Sequence, residues 1–150
     1  MLAAIRTFLR EYTPSPADDR SGDEYSLRLA VALLLMEVAR ADLEISEDER
    51  RIARQLLEQL FPVSSTQARA LVEAAQHEAE HATSLYPFTS LVNRECDLDE
   101  RSRIVGMLWN VSCADGKIDA HEEHLVRKVA DLLYVPHSRF IQAKHAHTAE

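Results

Sequence analysis

Apolar residues recur along this chain at the three- and four-residue intervals of α-helices. No segment alternates apolar and polar residues as a half-buried strand would. Prolines and short acidic stretches separate the periodic segments, and Pro62, Pro87 and Pro136 stand where one helix must end or the next begin. The pattern predicts helices over residues 1–11, 24–41, 46–60, 65–82, a short one from Pro87, 100–113, 120–134 and one after Pro136. We therefore expect an all-α fold, a compact bundle of about seven helices.

Composition supports a single helical domain. The chain has 150 residues, of which 46% are hydrophobic, and only 3 are glycine and 5 are proline. That length fits one self-sufficient core, and so few turn residues argue against an all-β protein. Pro14 and Pro16 lie among small and acidic residues. We predict an N-terminal helix and proline-containing linker over residues 1–23, followed by the helical domain over residues 24–146.

Charge and apolar run length exclude several functional classes. The chain carries 17 Lys and Arg against 25 Asp and Glu, a formal net charge of −8, whereas a nucleic-acid binder needs a basic face. The longest apolar run, Leu29–Met36, is far shorter than the roughly 20 residues of a spanning helix, so we expect no membrane insertion. The N-terminus does not read as a signal peptide, and the 2 cysteines, Cys96 and Cys113, fit a reduced, cytoplasmic setting.

The most informative pattern is an internal repeat. A shift of 73 residues aligns residues 37–61 with residues 110–134 without a gap. The identical pairs include Asp42 with Asp115 and Glu49 with Glu122. Each copy reads as a helix, an acidic turn with an inward isoleucine, and a second helix. The repeat predicts that the bundle is built from two related helical hairpins.

Two interpretations of the repeated acids remain open. In the first, Ser46 with Glu49, and Asp119 with Glu122, cap the second helix of each hairpin, which stabilises a helix by about 1 kcal/mol. In the second, the two hairpins pack around a pseudo-two-fold axis and bring together four carboxylates, those of Asp42, Glu49, Asp115 and Glu122. Such oxygen ligands suit Ca²⁺ or Mg²⁺, although the turn is too short for an EF-hand.

A different chemistry is suggested by His77-Glu-Ala-Glu-His81, a literal His-Glu-x-x-His stretch. On a helix His77 and His81 lie one turn apart and can both bind zinc, with Glu78 as the general base of a hydrolase. The surrounding acidic residues instead indicate a solvated helix face, and no third ligand is evident. A second alternative is adventitious binding of zinc or nickel by the two histidines, without catalysis.

The segment from about Leu27 to Lys144 resembles the TerB-like (tellurite-resistance protein B) family, in its uncharacterised small-protein branch. The similarity is carried by several motifs in the same order: Glu37-Val-Ala-Arg-Ala-Asp42 with Ile45 and Glu49; Leu85-Tyr-Pro-Phe-Thr-Ser-Leu-Val-Asn93; Leu108-Trp-Asn-Val-Ser-Cys-Ala-Asp-Gly-Lys-Ile-Asp-Ala-His-Glu-Glu-His-Leu125; and Ala130-Asp-Leu-Leu-Tyr-Val-Pro-His137.

This resemblance implies a compact all-α fold without an established catalytic activity, linked to tellurite resistance and stress responses. It also implies a metal site at Asp42, Glu49, Asp115 and Glu122, although Leu43 stands where the family commonly has glycine. We expect a non-enzymatic module of bacterial stress physiology, a monomer or weak dimer. Its acidic patch would bind a divalent cation or a basic protein partner.

Overall fold

The computed structural model describes residues 19–42, 44–114, 116 and 119–148, without the side chains of residues 19–23, 42, 147 and 148. Within these ranges the chain is helical and contains no strand. The elements are α1 (Asp19–Ala39), a 3₁₀ turn (Arg40–Asp42), α2 (Glu47–Leu60), α3 (Ser65–His81), α4 (Tyr86–Glu95), α5 (Leu98–Ser112), α6 (Ala120–Leu132) and α7 (His137–Thr148). The predicted all-α bundle is confirmed, whereas the predicted helix over residues 1–11 lies outside the described residues.

The first and last helices extend beyond their predicted bounds. Helix α1 already includes Asp19, ahead of the predicted start near Glu24, because Gly22 weakens a helix by only about 1 kcal/mol. Helix α7 continues to Thr148 instead of fraying from His145. Its buried Phe140 packs against Trp109 of α5, and this tertiary contact supports a helix of weak intrinsic amphipathicity.

Helix α1 forms the centre of the molecule. Its residues from Leu29 to Met36 are all buried, so the helix is covered on every side. It contacts α2, α3, α4, α5 and α6. A helix that is apolar all round is stable only inside the bundle, and the other helices each bury one face against it or against α5.

The remaining helices begin at strong local signals. Ser46, Ser64 and Asp97 are the N-caps of α2, α3 and α5, and each forms a reciprocal capping box with the residue three positions later. Pro87 lies in the first turn of α4, where its missing N–H costs nothing. None of the helices in the described ranges is long and apolar enough to cross a bilayer.

The two hairpins predicted from the repeat are α1–α2 and α5–α6. Helices α1 and α5, which occupy equivalent places, contact each other. The second helix of each hairpin also contacts the first helix of the other hairpin, α2 with α5 and α6 with α1. These reciprocal contacts are the arrangement expected of two copies related by a pseudo-two-fold axis.

The end of α6 is held by side chains from two other helices. Asn93 of α4 donates from Nδ2 to the Leu132 carbonyl at 2.9 Å, and Arg101 of α5 donates to the Leu133 carbonyl at 2.9 Å. Tyr134 then adopts a positive φ of 54°, and the Val135 N–H bonds back to the Ala130 carbonyl, which closes a Schellman motif. This motif ends the helix at Leu132, before the predicted Tyr134.

Candidate functional site

Glu49 lies in the first turn of α2 and is buried, with 5% of its surface exposed. Its Oε1 accepts a hydrogen bond from the Ser46 N–H at 2.8 Å, and its own N–H donates to Ser46 Oγ at 3.1 Å. The capping box predicted for the first hairpin is therefore confirmed. The amides and the positive dipole end of the helix also partly offset the cost of burying this carboxylate.

Glu122 occupies the equivalent position of α6 and is 3% exposed. Asp119 is the N-cap, as predicted, but its carboxylate accepts from the His121 N–H at 2.7 Å. The capping box predicted between Asp119 and Glu122 was wrong, since the short Asp119 side chain serves the second helical amide instead of the third. The N-cap bond of α6 thus runs from His121 to Asp119, and Glu122 is buried at the place that Glu49 holds in α2.

The other capping boxes show that this position does not require burial. Gln67 of α3 and Glu100 of α5 stand at the same place in their helices and make the same reciprocal bonds. Both are exposed. Burial at this position therefore distinguishes Glu49 and Glu122, the residues that follow the two repeated acidic turns, from ordinary capping residues.

The two aspartates of the predicted site are only partly described. The backbone of Asp42 closes the 3₁₀ turn, and this turn contacts α6, the helix that carries Glu122. The side chain of Asp42 and the whole of Asp115 lie outside the described residues. Gly116 of the second turn has a φ of +84°, a left-handed conformation that favours glycine. The convergence of all four carboxylates stays a prediction.

Sequence reasoning missed a cleft between α2 and α3. It has a volume of about 290 Å³ and is lined by Glu47, Arg50, Arg54, Arg69, Val72 and Glu73. Arg54 pairs with Glu47 at 3.3 Å, and Arg50 Nε donates to Gln76 Oε1 at 3.1 Å. Only the spacing of Glu47, Arg50 and Arg54 on one face of α2 could have signalled it. Its partners on α3 depend on how the two helices dock.

The histidines of the His-Glu-x-x-His stretch do come together. His77 and His81 are exposed near the end of α3, with ring centroids 4.7 Å apart. The acid whose carboxylate groups with them is Glu80, and the general base expected from the motif, Glu78, is not part of the group. His121 and His124, another pair of closely spaced histidines, are exposed on α6 and do not join it either.

Cys96 caps the C-terminal end of α4 and is half-buried. Desolvation, together with the charges of Glu100, Asp97 and Glu95, raises the pKa of the Cys96 thiol to about 11, against an opposing effect of Arg101. Since the thiolate is the reactive form, we expect a Cys113→Ser variant, which keeps only Cys96, to react with iodoacetamide at least about tenfold more slowly when folded than in denaturant at the same pH.

The raised pKa of the Cys96 thiol also makes the free energy of unfolding depend on pH. The folded state holds the thiol proton more tightly, so this contribution is present below pH 9 and is lost as the pH rises toward about 11. Equal alkylation rates in the folded and denatured states would contradict the shielding of Cys96. The rates are measured by mass spectrometry of the modified chain.

A comparison with protein-family models assigns the chain. The model described as "Tellurite resistance protein TerB" matches residues 28–145, well over half of the chain. The protein belongs to the TerB family. Its TerB domain thus runs from within α1 to within α7 and includes both hairpins and all four predicted carboxylates. No curated protein and no solved structure matches the sequence.

Proposed function

We propose that this TerB domain is a non-enzymatic module that holds a Ca²⁺- or Mg²⁺-type cation between its two acidic turns. Glu49 and Glu122 are the buried ligands, and Asp42 and Asp115 complete the set. The observation that carries the proposal is the burial of Glu49 and Glu122 at equivalent places, while Gln67 and Glu100 occupy the same helical position at the surface.

Electrostatics explains why this burial points to a cation. Removing a carboxylate from water costs several kcal/mol unless charge or hydrogen bonds compensate it. At Glu49 a capping box provides part of that compensation, and the Glu49 and Glu122 carboxylates both lie buried at equivalent places of the two hairpins. A hard divalent cation, which selects carboxylate oxygens, compensates both side chains at once.

The packing of the hairpins supports a shared site. The 3₁₀ turn of the first hairpin contacts the second helix of the other hairpin, and α2 contacts α5, which leads into the second acidic turn. The first turn therefore lies beside the opposite copy, and the second turn follows a helix that contacts the opposite copy. A cation at the junction would tie the two hairpins together and order the turns that present the acidic surface to a partner.

Such a module acts by binding another protein, in keeping with a role in bacterial stress response. Cation binding would fix the shape and charge of the acidic turns, and a basic partner surface would recognise them. A zinc hydrolase gains no support from the geometry, because His77 and His81 are exposed on α3 and Glu78 stands outside their cluster.

The proposal is tested by thermal unfolding with Ca²⁺ and with Mg²⁺. A ligand that binds only the native state raises its stability, by about 2.7 kcal/mol at one hundred times the dissociation constant. We expect one of the two ions to raise the melting temperature of the native sequence. Glu49→Gln and Glu122→Gln should each abolish most of that increase.

The chain provides matched controls for this experiment. Gln67 makes a capping box with its amide oxygen, so Glu49→Gln can keep its cap while losing the charge. Glu100→Gln makes the same change at an exposed capping box and should leave the ion response intact. An ion response that persists in both Glu49→Gln and Glu122→Gln, or no response to either ion, overturns the proposal.

A further inference from the structure

Three side chains with metal-binding atoms meet near the C-terminal end of α3. One ligand atom each from His77, Glu80 and His81 lies within 4.8 Å of the others, and no other group of this kind occurs among the described residues. Positions three and four apart on a helix lie on the same face. Tetrahedral zinc with bonds of about 2.0–2.1 Å places its ligands about 3.4 Å apart, so side-chain rotations alone would close the site.

One hydrogen bond sets the tautomer of the His81 ring. Its Nδ1 lies 2.8 Å from the His77 carbonyl oxygen, and because that oxygen can only accept, Nδ1 carries the proton. The lone pair of neutral His81 is therefore on Nε2, the remaining ring nitrogen. Metal-binding histidines are usually held in this way, with one nitrogen donating to a carbonyl or carboxylate and the other on the metal.

The local field favours a cation at the same place. The cluster lies in the last turns of α3, at the negative end of the helix dipole. Residues 70–93 contain Glu73, Glu78 and Glu80 and no lysine or arginine. No positive side chain of this segment therefore competes with a bound ion for Glu80.

We propose that His77, Glu80 and His81 form a binding site for a borderline divalent ion of the Zn²⁺ class. Two imidazole nitrogens and one carboxylate are a donor set that zinc prefers and that Ca²⁺ and Mg²⁺ do not. Three ligands on one exposed helix leave the fourth position to water or to an external group. The site is separate from the acidic turns and does not depend on the function proposed for them.

The test is a Zn²⁺ titration of the full-length protein against a chromophoric chelator at neutral pH. We expect one tight equivalent. The double variant His77→Gln/His81→Gln should bind at least about tenfold more weakly, since even outer-shell changes cost 10- to 100-fold. Glu80→Gln should weaken binding by a smaller factor, and Glu78→Gln, its neighbour outside the cluster, should not.

His121 and His124 provide the matched control, because they are also an exposed pair on a helix. His121→Gln/His124→Gln should leave the tight equivalent unchanged. Co²⁺ loaded in place of Zn²⁺ should show ligand-field bands without thiolate charge transfer. Any of three results overturns the site. These are an unchanged zinc affinity in His77→Gln/His81→Gln, a thiolate charge-transfer band from Cys96 or Cys113, and the absence of a tight equivalent of zinc. Glu122→Gln should not alter zinc binding, which separates this result from the Ca²⁺ and Mg²⁺ experiment.

Discussion

Replacing Trp109 by alanine should lower the free energy of unfolding by about 3–5 kcal/mol, the usual cost of truncating a fully buried aromatic side chain. Trp109 is 0% exposed, and its ring centroid lies 5.3 Å from that of Phe140. The Lys144 ammonium stands 5.5 Å from the same ring and pairs with Glu123 at 2.6 Å. Alanine would leave a cavity and remove the surface on which α7 docks.

The measurement is denaturant-induced unfolding monitored by far-ultraviolet circular dichroism, a signal that does not depend on the lost indole. Trp109→Phe should cost less than alanine, because it keeps an aromatic ring and removes an indole Nε1 that is buried without a hydrogen-bond partner. Tyr86→Ala removes an aromatic side chain that is 69% exposed and should change stability by no more than about 0.5 kcal/mol. A loss below about 1 kcal/mol for Trp109→Ala would contradict this account of the core.

Local signals made most of the fold predictable from the sequence. Helix starts can be predicted from local capping and proline signals without any tertiary context, as at Ser46, Asp97 and Pro87. The uninterrupted run Leu29–Met36 predicts a core helix because no helix face in it could meet water. The repeat predicted the hairpins, since the same order of helix, acidic turn and helix occurs twice.

Predictions failed where a choice between close alternatives depends on geometry. The aligned repeat suggests equal caps for Glu49 and Glu122, yet Asp119 bonds to His121 where Ser46 bonds to Glu49. The His-Glu-x-x-His pattern drew attention to Glu78, whereas the helix places Glu80 beside the histidines. In both cases the kind of interaction was predicted correctly, but the residue that makes it lies one or two positions away from the predicted one.

Contacts between distant parts of the chain left little signal in the sequence. The cleft between α2 and α3 and the bonds from Asn93 and Arg101 to the end of α6 join residues that no periodicity relates. The burial of Glu49 and Glu122 belongs here too, because charged residues in a first helical turn normally face water. This burial, which the sequence could not predict, is the observation on which the proposed cation site rests.

Removing Asn93 and Arg101 together should cost about 2–4 kcal/mol of unfolding free energy. The last carbonyls of α6 have no partner within the helix, and these two side chains supply one hydrogen bond each to Leu132 and Leu133. A hydrogen bond from a charged donor contributes about 1.5–3 kcal/mol and one from a neutral donor about 0.5–1.5 kcal/mol. Arg101 Nε also donates to the Asp97 carbonyl at 3.2 Å, so it links the start of α5 to the end of α6.

A double-mutant cycle of Asn93→Ala and Arg101→Ala, measured by chemical denaturation, gives both the total loss of unfolding free energy and the coupling energy between the two side chains. The two acceptors are on adjacent residues, so losing either donor frees the same helix end, and the combined cost should fall short of the sum of the single costs. Arg103→Ala is the control, because it removes the same charge from an exposed position of α5 and should have little effect. A combined loss no larger than that of Arg103→Ala would mean that water serves these carbonyls equally well. The end of α6 would then be held by the Schellman motif alone.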